Sequence, residues 1–252
     1  MSTEFVKRTE KDSQQTEIRT ERRAGLRRLA ALLRDDARRH RLLFVSGLAV
    51  LGVVATMAYS TYRVQQLPFD LRATTSLQGI RYGAFANLMI AVSLPGYQPW
   101  SPFLVAAGGL LVAWWLGWRD GLFLGAVTAM QGLSNQLIKH AIGRPRPAEN
   151  LVDVFLPVAG RSFPSGHVML YTVFFGFLFF LAWTQMRRGL LRTFALIVTA
   201  GFVLLVGPSR IFLGAHWLSD VVAGYLVSLI IVLFAIEFYV CYVVRRRVRV
   251  MR

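Results

Sequence analysis

The sequence predicts an all-α membrane protein, a polytopic helical bundle of about six transmembrane helices. Three observations support this prediction: long apolar segments, basic residues that cluster between alternate segments, and polar motifs at the segment ends. Hydrophobic residues make up 55% of the 252 residues and the mean hydropathy is +0.47, which are both high for a soluble domain.

Six apolar segments are candidate spans, judged by the roughly 20 residues that cross a bilayer core. The fourth and fifth are short, but each adjoins a polar motif that can continue its helix. Between the first two spans, Ala84–Leu94 is too short to span comfortably and is expected to form an interfacial or re-entrant helix, with a seventh span as the alternative. The predicted spans are Leu42–Tyr62, Ser101–Trp118, Gly121–Lys139, Val168–Trp183, Phe194–Pro208 and Trp217–Val244.

The segment before the first span, residues 1–41, is polar and contains twelve Lys or Arg against seven Asp or Glu. A helix over Ile18–Arg41 would place its leucines on one face. The segment is therefore either a basic amphipathic helix on an anionic membrane surface or a solvated cytoplasmic tail. The predicted domain organisation is this tail followed by one membrane domain over residues 42–252.

The formal net charge of +16 is mostly a topology signal. Of the 29 Lys and Arg, 21 lie in the tail, at Arg119, between the fourth and fifth spans, and after the sixth. With six spans these clusters share one side, which the positive-inside rule makes cytoplasmic. We therefore expect both termini in the cytoplasm of a bacterial-type inner membrane. A nucleic-acid partner is disfavoured, since no aromatic and basic recognition module is present.

Other polar residues inside the predicted spans are expected to be structural. Gln131, Asn135 and Lys139 recur every four residues and predict a stripe that faces the bundle interior. Glu237 is expected to pair with a basic neighbour. Cys241 is the single cysteine, which excludes an intramolecular disulfide and a cysteine-based metal cluster, and its apolar surroundings predict an inert buried thiol.

Three polar stretches stand at the predicted outer ends of spans: Lys139–Pro147, Phe163–His167 and Ser209–Asp220. Ionisable residues at such positions are costly to bury and tend to be functional. Two histidines, an aspartate and three cations on one membrane face are difficult to explain by packing. The sequence therefore predicts one site built from all three stretches.

The residue types in these stretches suit a phosphorylated substrate. A phosphate monoester or diphosphate needs cations aimed at its non-bridging oxygens, and Lys139, Arg146 and Arg210 can supply them. It also suits a helix N-terminus, where Ser165 can cap and Gly166 lets the backbone approach an anion.

Phosphoryl transfer further needs a nucleophile and a proton donor, and His167 and His216 can divide these roles. Asp220 is four residues after His216, so on a helix the two side chains would share a face. Asp220 can then hold the imidazole by one nitrogen and leave the other free to attack. Arg144 is expected either to contact a second phosphate or to face water.

The three stretches resemble the three-part signature of the type-2 phosphatidic acid phosphatase superfamily, which includes lipid phosphatases, glucose-6-phosphatases and vanadium haloperoxidases. Every position of the signature is matched in this sequence, and the resemblance covers about Leu42–Val244. The matching residues are Lys139, Arg146 and Pro147 in the first part, Pro164, Ser165, Gly166 and His167 in the second, and Ser209, Arg210, His216 and Asp220 in the third.

The resemblance implies a metal-independent phosphatase without cofactors, which agrees with the lack of an HExxH motif or a Cys/His ligand spacing. It implies that His216 is the nucleophile and that Asp220 orients it. His167 would protonate the leaving oxygen and then activate water. The residues that would hold the phosphate are Lys139, Arg146, Ser165, Gly166 and Arg210.

The expected substrate is a lipid phosphate or pyrophosphate that reaches an outward-facing site from the bilayer. A polyprenyl pyrophosphate is the first expectation, followed by phosphatidylglycerol phosphate and phosphatidic acid. Two alternatives remain open: a lipid-linked phosphotransferase that uses the same site, and an inactive membrane protein that binds lipids or anions.

Overall fold

The computed structural model describes residues 36–80, 83–155 and 157–244. Over these residues the chain forms helices and no strand, and the predicted all-α membrane bundle is confirmed. A 3-10 turn, Leu94–Gly96, follows the third helix, and a π-helical segment, Tyr239–Val244, continues the last one. The helices are α1 (Asp36–Arg63), α2 (Pro68–Gln78), α3 (Gly83–Ser93), α4 (Trp100–Leu116), α5 (Trp118–Ile142), α6 (Gly166–Gln185), α7 (Leu190–Phe212) and α8 (Leu218–Phe238).

Four helical segments in the described part of the chain are long and apolar enough to cross a membrane: His40–Arg63, Gly166–Gln185, Leu190–Phe212 and Leu218–Cys241. A fifth candidate combines α3 and its 3-10 turn with α4, which meet at an angle of 71°. This bent pair includes the stretch expected to be interfacial or re-entrant, and its geometry fits either a broken span or a re-entrant loop.

Helix α5 coincides with the third predicted span but is not among the helices that qualify by composition. Its 25 residues are long enough, since about 1.5 Å per residue gives about 37 Å. Its mean hydropathy is lowered by polar residues that lie in the bundle interior, including Asp120, Gln131 and Asn135. Because these polar side chains are buried in the bundle, the low hydropathy of α5 does not exclude it as a spanning helix. The count of six spans remains a prediction.

The helix ends explain the two short predicted spans. Helix α6 begins at Gly166 and α7 ends at Phe212, so the polar motifs do continue these helices. Helix α1 begins at Asp36, inside the predicted tail. The amphipathic helix predicted over Ile18–Arg41 lies mostly outside the described residues, as does the C-terminal basic cluster, and the domain boundary after residue 41 stays a prediction.

Helix α6 is the centre of the bundle and packs against α5, α7 and α8. Its aromatic side chains Tyr171, Phe174 and Phe177 are almost fully buried, and Tyr239 from the end of the last helix packs against Phe177. Helix α1 packs on α8 and exposes large apolar side chains such as Leu42 and Phe44 on its other faces. An exposed apolar surface on a spanning helix is expected where lipid replaces water.

Helices α4 and α5 form a hairpin whose backbones approach closely at Gly121. A Cβ at Gly121 would lie 2.3 Å from the carbonyl oxygen of Gly109 and 2.7 Å from the Cβ of Ala113. Small residues at such contacts let membrane helices pack without intervening side chains. The hairpin therefore depends on the missing side chain at Gly121.

We predict that Gly121→Ala destabilises the protein, because overpacking a close contact costs about 1–3 kcal/mol. The measurement is the midpoint of thermal unfolding in detergent. Gly125→Ala is the matched control on the same helix, since a Cβ there meets nothing within 4 Å. Equal midpoints for the two variants would contradict the close packing of α4 on α5.

Candidate active site

The structure brings the three polar stretches together at one end of the bundle. There the C-terminal ends of α5 and α7 meet the N-terminal ends of α6 and α8. The Ser165 N–H donates to the carbonyl oxygen of Asp220 at 3.0 Å, and the His216 N–H donates to that of Arg210 at 3.2 Å. Arg146 joins the first stretch to the third through an Nη1 hydrogen bond of 2.7 Å to the carbonyl of Ala215.

His216 lies in the short loop between α7 and α8, and 1% of its surface is exposed. Its Nε2 is 3.1 Å from Arg146 Nη1, and its Nδ1 is 3.6 Å from Asp220 Oδ2. The expectation that His216 and Asp220 share a helical face is wrong, because α8 begins at Leu218. Asp220 instead accepts the Trp217 N–H at 2.9 Å and closes the first turn of α8.

Ser162 occupies the place where a direct contact between His216 and Asp220 was expected. Its hydroxyl donates a short hydrogen bond to Asp220 Oδ2 and lies 3.3 Å from His216 Nδ1. Ser162 was not among the predicted site residues, although it stands three residues before Ser165. A serine next to a motif is a weak signal, since its position depends on how the loop closes.

The alternative in which Arg144 faces water is wrong, and all three nitrogens of its guanidinium are engaged by protein groups. It is 1% exposed and forms ion pairs with Asp70 Oδ2 at 2.6 Å and with Asp220 Oδ1 at 2.5 Å. Its Nε donates to the carbonyl of Gln65 at 2.9 Å. Asp70, which the sequence analysis missed, also accepts the backbone N–H of Ser219 at 2.8 Å. A segment before the motifs thus contributes to the site.

Three cations predicted for phosphate binding surround the histidines. Lys139 Nζ donates to the carbonyl of Arg161 at 2.8 Å, and Arg146 Nε donates to that of Gly160 at 3.2 Å. Burial, together with the charge of Arg210, lowers the pKa of Arg146 to about 10, so Arg146 remains charged at neutral pH. These cations, and His216, lie within electrostatic range of His167.

Several polar atoms of this site are buried without a hydrogen-bond partner among the described residues: Ser165 Oγ, His167 Nε2, and Nε and Nη2 of Arg210. Ser165 is the N-cap residue of α6, as its sequence position suggested, but its side chain makes no capping bond. The first N–H groups of a helix also lack intrahelical partners. This end of α6 therefore presents unused hydrogen-bonding groups beside a buried guanidinium.

The 3-10 turn between α3 and α4 covers the same site. Tyr97 hydroxyl is 2.6 Å from Arg210 Nη1, and its ring centroid lies 4.6 Å from that of His167. Arg210 Nη1 also donates to Ser93 Oγ at 3.1 Å. A Cβ at Gly96 would lie 2.4 Å from Cδ2 of His167. Sequence reasoning missed these contacts because the turn carries no charged residue or motif.

A second group of potential ligands lies at the opposite end of α8, close to the start of α1. Ligand atoms of His40, Glu237 and Cys241 are within 4.8 Å of one another and could hold a metal ion. Cys241 is half-buried and its thiol donates to Glu237 Oε1 at 3.2 Å, so it is less enclosed than expected. His40 Nδ1 is 3.6 Å from Glu237 Oε1, in line with the expected basic neighbour.

The fold and the site define a class: membrane helical bundles that gather two histidines, an aspartate and buried cations at one end. Residues 120–243 match the model of the PAP2 superfamily, and this region includes all three polar stretches. The match covers 124 of the 252 residues, and over this region the family resemblance inferred from the motifs is confirmed.

Individual relatives are similar over about half of the chain. The lipid A 1-phosphatase of Rhizobium etli is 34% identical over 137 residues, which are 51% of this chain and 52% of that protein. Phosphatidylglycerophosphatase B of Bacillus subtilis is 30% identical over 138 residues, 52% of this chain and 63% of that protein. The chain thus spans about half to three-fifths of the length of these relatives.

The fold also resembles a solved structure. The crystal structure of a transmembrane PAP2-type phosphatidylglycerolphosphate phosphatase from Bacillus subtilis superposes with a TM-score of 0.62 at 23% identity. The similarity covers 76% of this chain and 94% of that one. It therefore extends beyond the family region and includes part of the chain before residue 120.

We predict that His216 stays neutral as the pH falls through 6.5, because burial and then the charges of Arg146, Arg210 and Lys139 lower its pKa well below that value. Below pH 6.5 the unfolded chain would bind a proton that folded His216 does not. The folded state should therefore lose stability as the pH falls towards the lowered pKa.

This prediction is measured by a pH titration of the ¹⁵N-histidine resonances in detergent. Arg146→Gln removes one neighbouring cation and should raise the pKa of His216. Protonation of His216 at or above pH 6.5 in the unmodified protein would refute the prediction.

Proposed function

We propose that this protein is a membrane phosphatase that hydrolyses lipid phosphates or pyrophosphates through a phosphohistidine on His216. The observation that supports this most strongly is the set of unpartnered buried groups on Ser165, His167 and Arg210. A buried donor without a partner costs about 1–3 kcal/mol, so such groups persist where a ligand satisfies them. A phosphoryl group offers several strong acceptor oxygens to these donors.

The charge of the site suits a phosphate dianion. Lys139, Arg146 and Arg210 are its cations outside the ion-paired network, whereas Arg144 is engaged by carboxylates. The Asp70–Arg144–Asp220 group has a formal charge of minus one, so the whole site has a formal excess of two positive charges. Cations held in place before the reaction can stabilise charge on the equatorial oxygens of the transition state.

The proposed reaction has two steps. Nε2 of His216 attacks phosphorus, the bond from phosphorus to the lipid oxygen breaks, and protonated His167 donates its proton to that oxygen. Neutral His167 then takes a proton from water, whose oxygen attacks phosphorus and releases phosphate from His216. Ser165, Gly166 and the three cations hold the non-bridging oxygens, and Asp220 orients His216.

The substrate class is proposed from the membrane setting and from the relatives, whose names specify lipid A 1-phosphate and phosphatidylglycerol phosphate. A site at the end of a membrane bundle can receive a headgroup phosphate while the acyl chains remain in the bilayer. Polyprenyl pyrophosphate, the first expectation from the sequence, stays a candidate together with these two lipids and phosphatidic acid.

The test measures phosphate release by the full-length protein in detergent from ³²P-labelled lipid A 1-phosphate, phosphatidylglycerol phosphate, phosphatidic acid and polyprenyl pyrophosphate. At least one lipid should be hydrolysed, and EDTA should leave the rate nearly unchanged because the proposed cations are side chains. Acid-labile label should appear on the protein after quenching. His216→Ala should lose both label and product, a fall of roughly a thousandfold or more.

His167→Ala separates the two histidines in the same assay. It should form the phosphoenzyme slowly and hydrolyse it more slowly still, and an activated leaving group should partly restore the first step. Label that accumulates in His216→Ala but never in His167→Ala would reverse the assigned roles. Label transferred to a lipid or sugar would indicate a phosphotransferase, and binding without turnover an inactive lipid-binding protein.

We also propose that the site faces the outer side of the inner membrane, with both termini in the cytoplasm. The support is the cluster of basic residues on the opposite side in a six-span topology. Arg119 and Arg192 lie over the rings of Trp118 and Trp183, an arrangement typical of a membrane interface.

The orientation is tested by cysteine labelling of intact cells in a Cys241→Ser background. An impermeant thiol reagent should label Asn150→Cys, in the loop before the second motif, and should not label Arg188→Cys, between α6 and α7. Both positions are exposed and should react after permeabilisation, which is the control. Labelling of Arg188→Cys alone in intact cells would refute this orientation.

A further inference from the structure

We propose that Ser162, Arg144 and Asp70 are positioning residues that hold His216 in the tautomer with its proton on Nδ1. This inference rests on the proposed function for its catalytic meaning, because it makes Nε2 the atom that attacks phosphorus. The predicted role of Asp220 is thereby divided among several groups, of which Ser162 is in contact with the imidazole.

The two ring nitrogens of His216 have different partners. Arg146 Nη1 lies 3.1 Å from Nε2, and a guanidinium can only donate hydrogen bonds. Nε2 must therefore be the unprotonated nitrogen when this bond is formed. In a neutral imidazole the proton is then on Nδ1, which lies 3.3 Å from the hydroxyl oxygen of Ser162.

The Ser162 hydroxyl lies between His216 and Asp220. Ser162 donates to Oδ2 of Asp220, so its oxygen is available to accept the Nδ1 proton of His216. Asp220 Oδ2 is 3.6 Å from Nδ1, beyond the usual hydrogen-bond distance, and it accepts the Trp217 N–H as well. Ser162 therefore lies closer to Nδ1 than Asp220 does, its backbone also interacts with the imidazole, and Asp220 acts on His216 chiefly through this residue.

The carboxylate of Asp220 is itself held by Arg144. Its other oxygen, Oδ1, accepts Arg144 Nη1 at 2.5 Å, and Arg144 Nη2 is bound by Asp70 Oδ2 at 2.6 Å. The Ser162 backbone N–H donates to the carbonyl of Arg144 at 2.8 Å. Arg144 thus positions both residues that lie next to Nδ1 of His216. Its side chain holds the Asp220 carboxylate, and its backbone carbonyl holds Ser162.

Asp70 adds the contribution of helix α2, which lies before the region that matches the PAP2 superfamily. Its two carboxylate oxygens accept from Arg144 and from both the N–H and the hydroxyl of Ser219, each within 2.8 Å. Ser219 directly precedes Asp220 in α8. Asp70 therefore anchors the start of α8 and the guanidinium that holds Asp220, although it does not contact the imidazole.

The test combines kinetics with ¹⁵N-histidine NMR of the full-length protein in detergent. The chain has four histidines, and the His216 resonances are those lost in His216→Gln. The unmodified protein should show Nδ1 protonated and Nε2 unprotonated at neutral pH. Ser162→Ala should give a mixture of tautomers and lower kcat by roughly tenfold to a hundredfold, with KM changed little, since the loss affects the transition state.

Ser228→Ala is the matched control, because Ser228 is a fully buried serine further along α8 whose hydroxyl bonds to the carbonyl of Met169. It should retain the tautomer and kcat. Asp70→Asn keeps the side-chain shape and removes the charge, and it should shift the tautomer in the same direction as Ser162→Ala. It also serves as the second variant if Ser162→Ala does not fold.

A single unchanged tautomer in Ser162→Ala and Asp70→Asn would overturn the proposal, even if kcat fell. A proton on Nε2 of His216 in the unmodified protein would also overturn it. If no lipid phosphate is hydrolysed, the proposed function fails, whereas the NMR comparison still decides whether these residues position His216.

Discussion

The site depends on one buried guanidinium shared by two carboxylates. Arg144, Asp70 and Asp220 come from three separate parts of the chain and are all removed from water. Removing each ion from water costs several kcal/mol, and only their mutual contacts and the surrounding hydrogen bonds compensate this cost. Loss of one partner would leave an uncompensated buried charge, at a cost of about 3–5 kcal/mol. The ends of α2, α5 and α8 are therefore held in one arrangement.

The polar groups of the site are of two physical kinds. Arg144 has hydrogen-bond partners for each of its three nitrogens, whereas Arg210 has two buried nitrogens without a partner among the described residues. The first kind stabilises a fixed geometry, and the second kind is stabilised when an anion arrives. Both arginines are thus buried, but Arg144 stabilises the geometry of the site whereas Arg210 has nitrogens available for an anion.

The fold class and the motif residues could be predicted because each depends on local sequence. Spanning helices need a continuous apolar run, and the motifs place His167, Arg210 and His216 at helix ends. Helix α5 coincides with the third predicted span, although its buried polar side chains resemble those of a soluble helix. The partners of those side chains follow from the tertiary fold, which local sequence does not express.

The parts of the site that could not be predicted are long-range contacts. Asp70 is 74 residues from Arg144 in the chain, and nothing in its own segment distinguishes it from a surface carboxylate. In the sequence, Arg144 and Arg146 both precede a proline in the same loop, and nothing there shows which side chain enters the buried ion pairs. The place of Ser162 between His216 and Asp220 likewise depends on how three segments meet.

The contact between Gly96 and His167 limits how sequences with this fold can vary. Because a Cβ at position 96 would overlap the imidazole ring, a larger residue there requires a different residue at position 167 or a different path of the turn. Position 96 lies outside residues 120–243, which match the superfamily model, and its constraint arises from the shape of the site. Among proteins that keep this turn and this histidine, a glycine should therefore recur at this position without any motif to mark it.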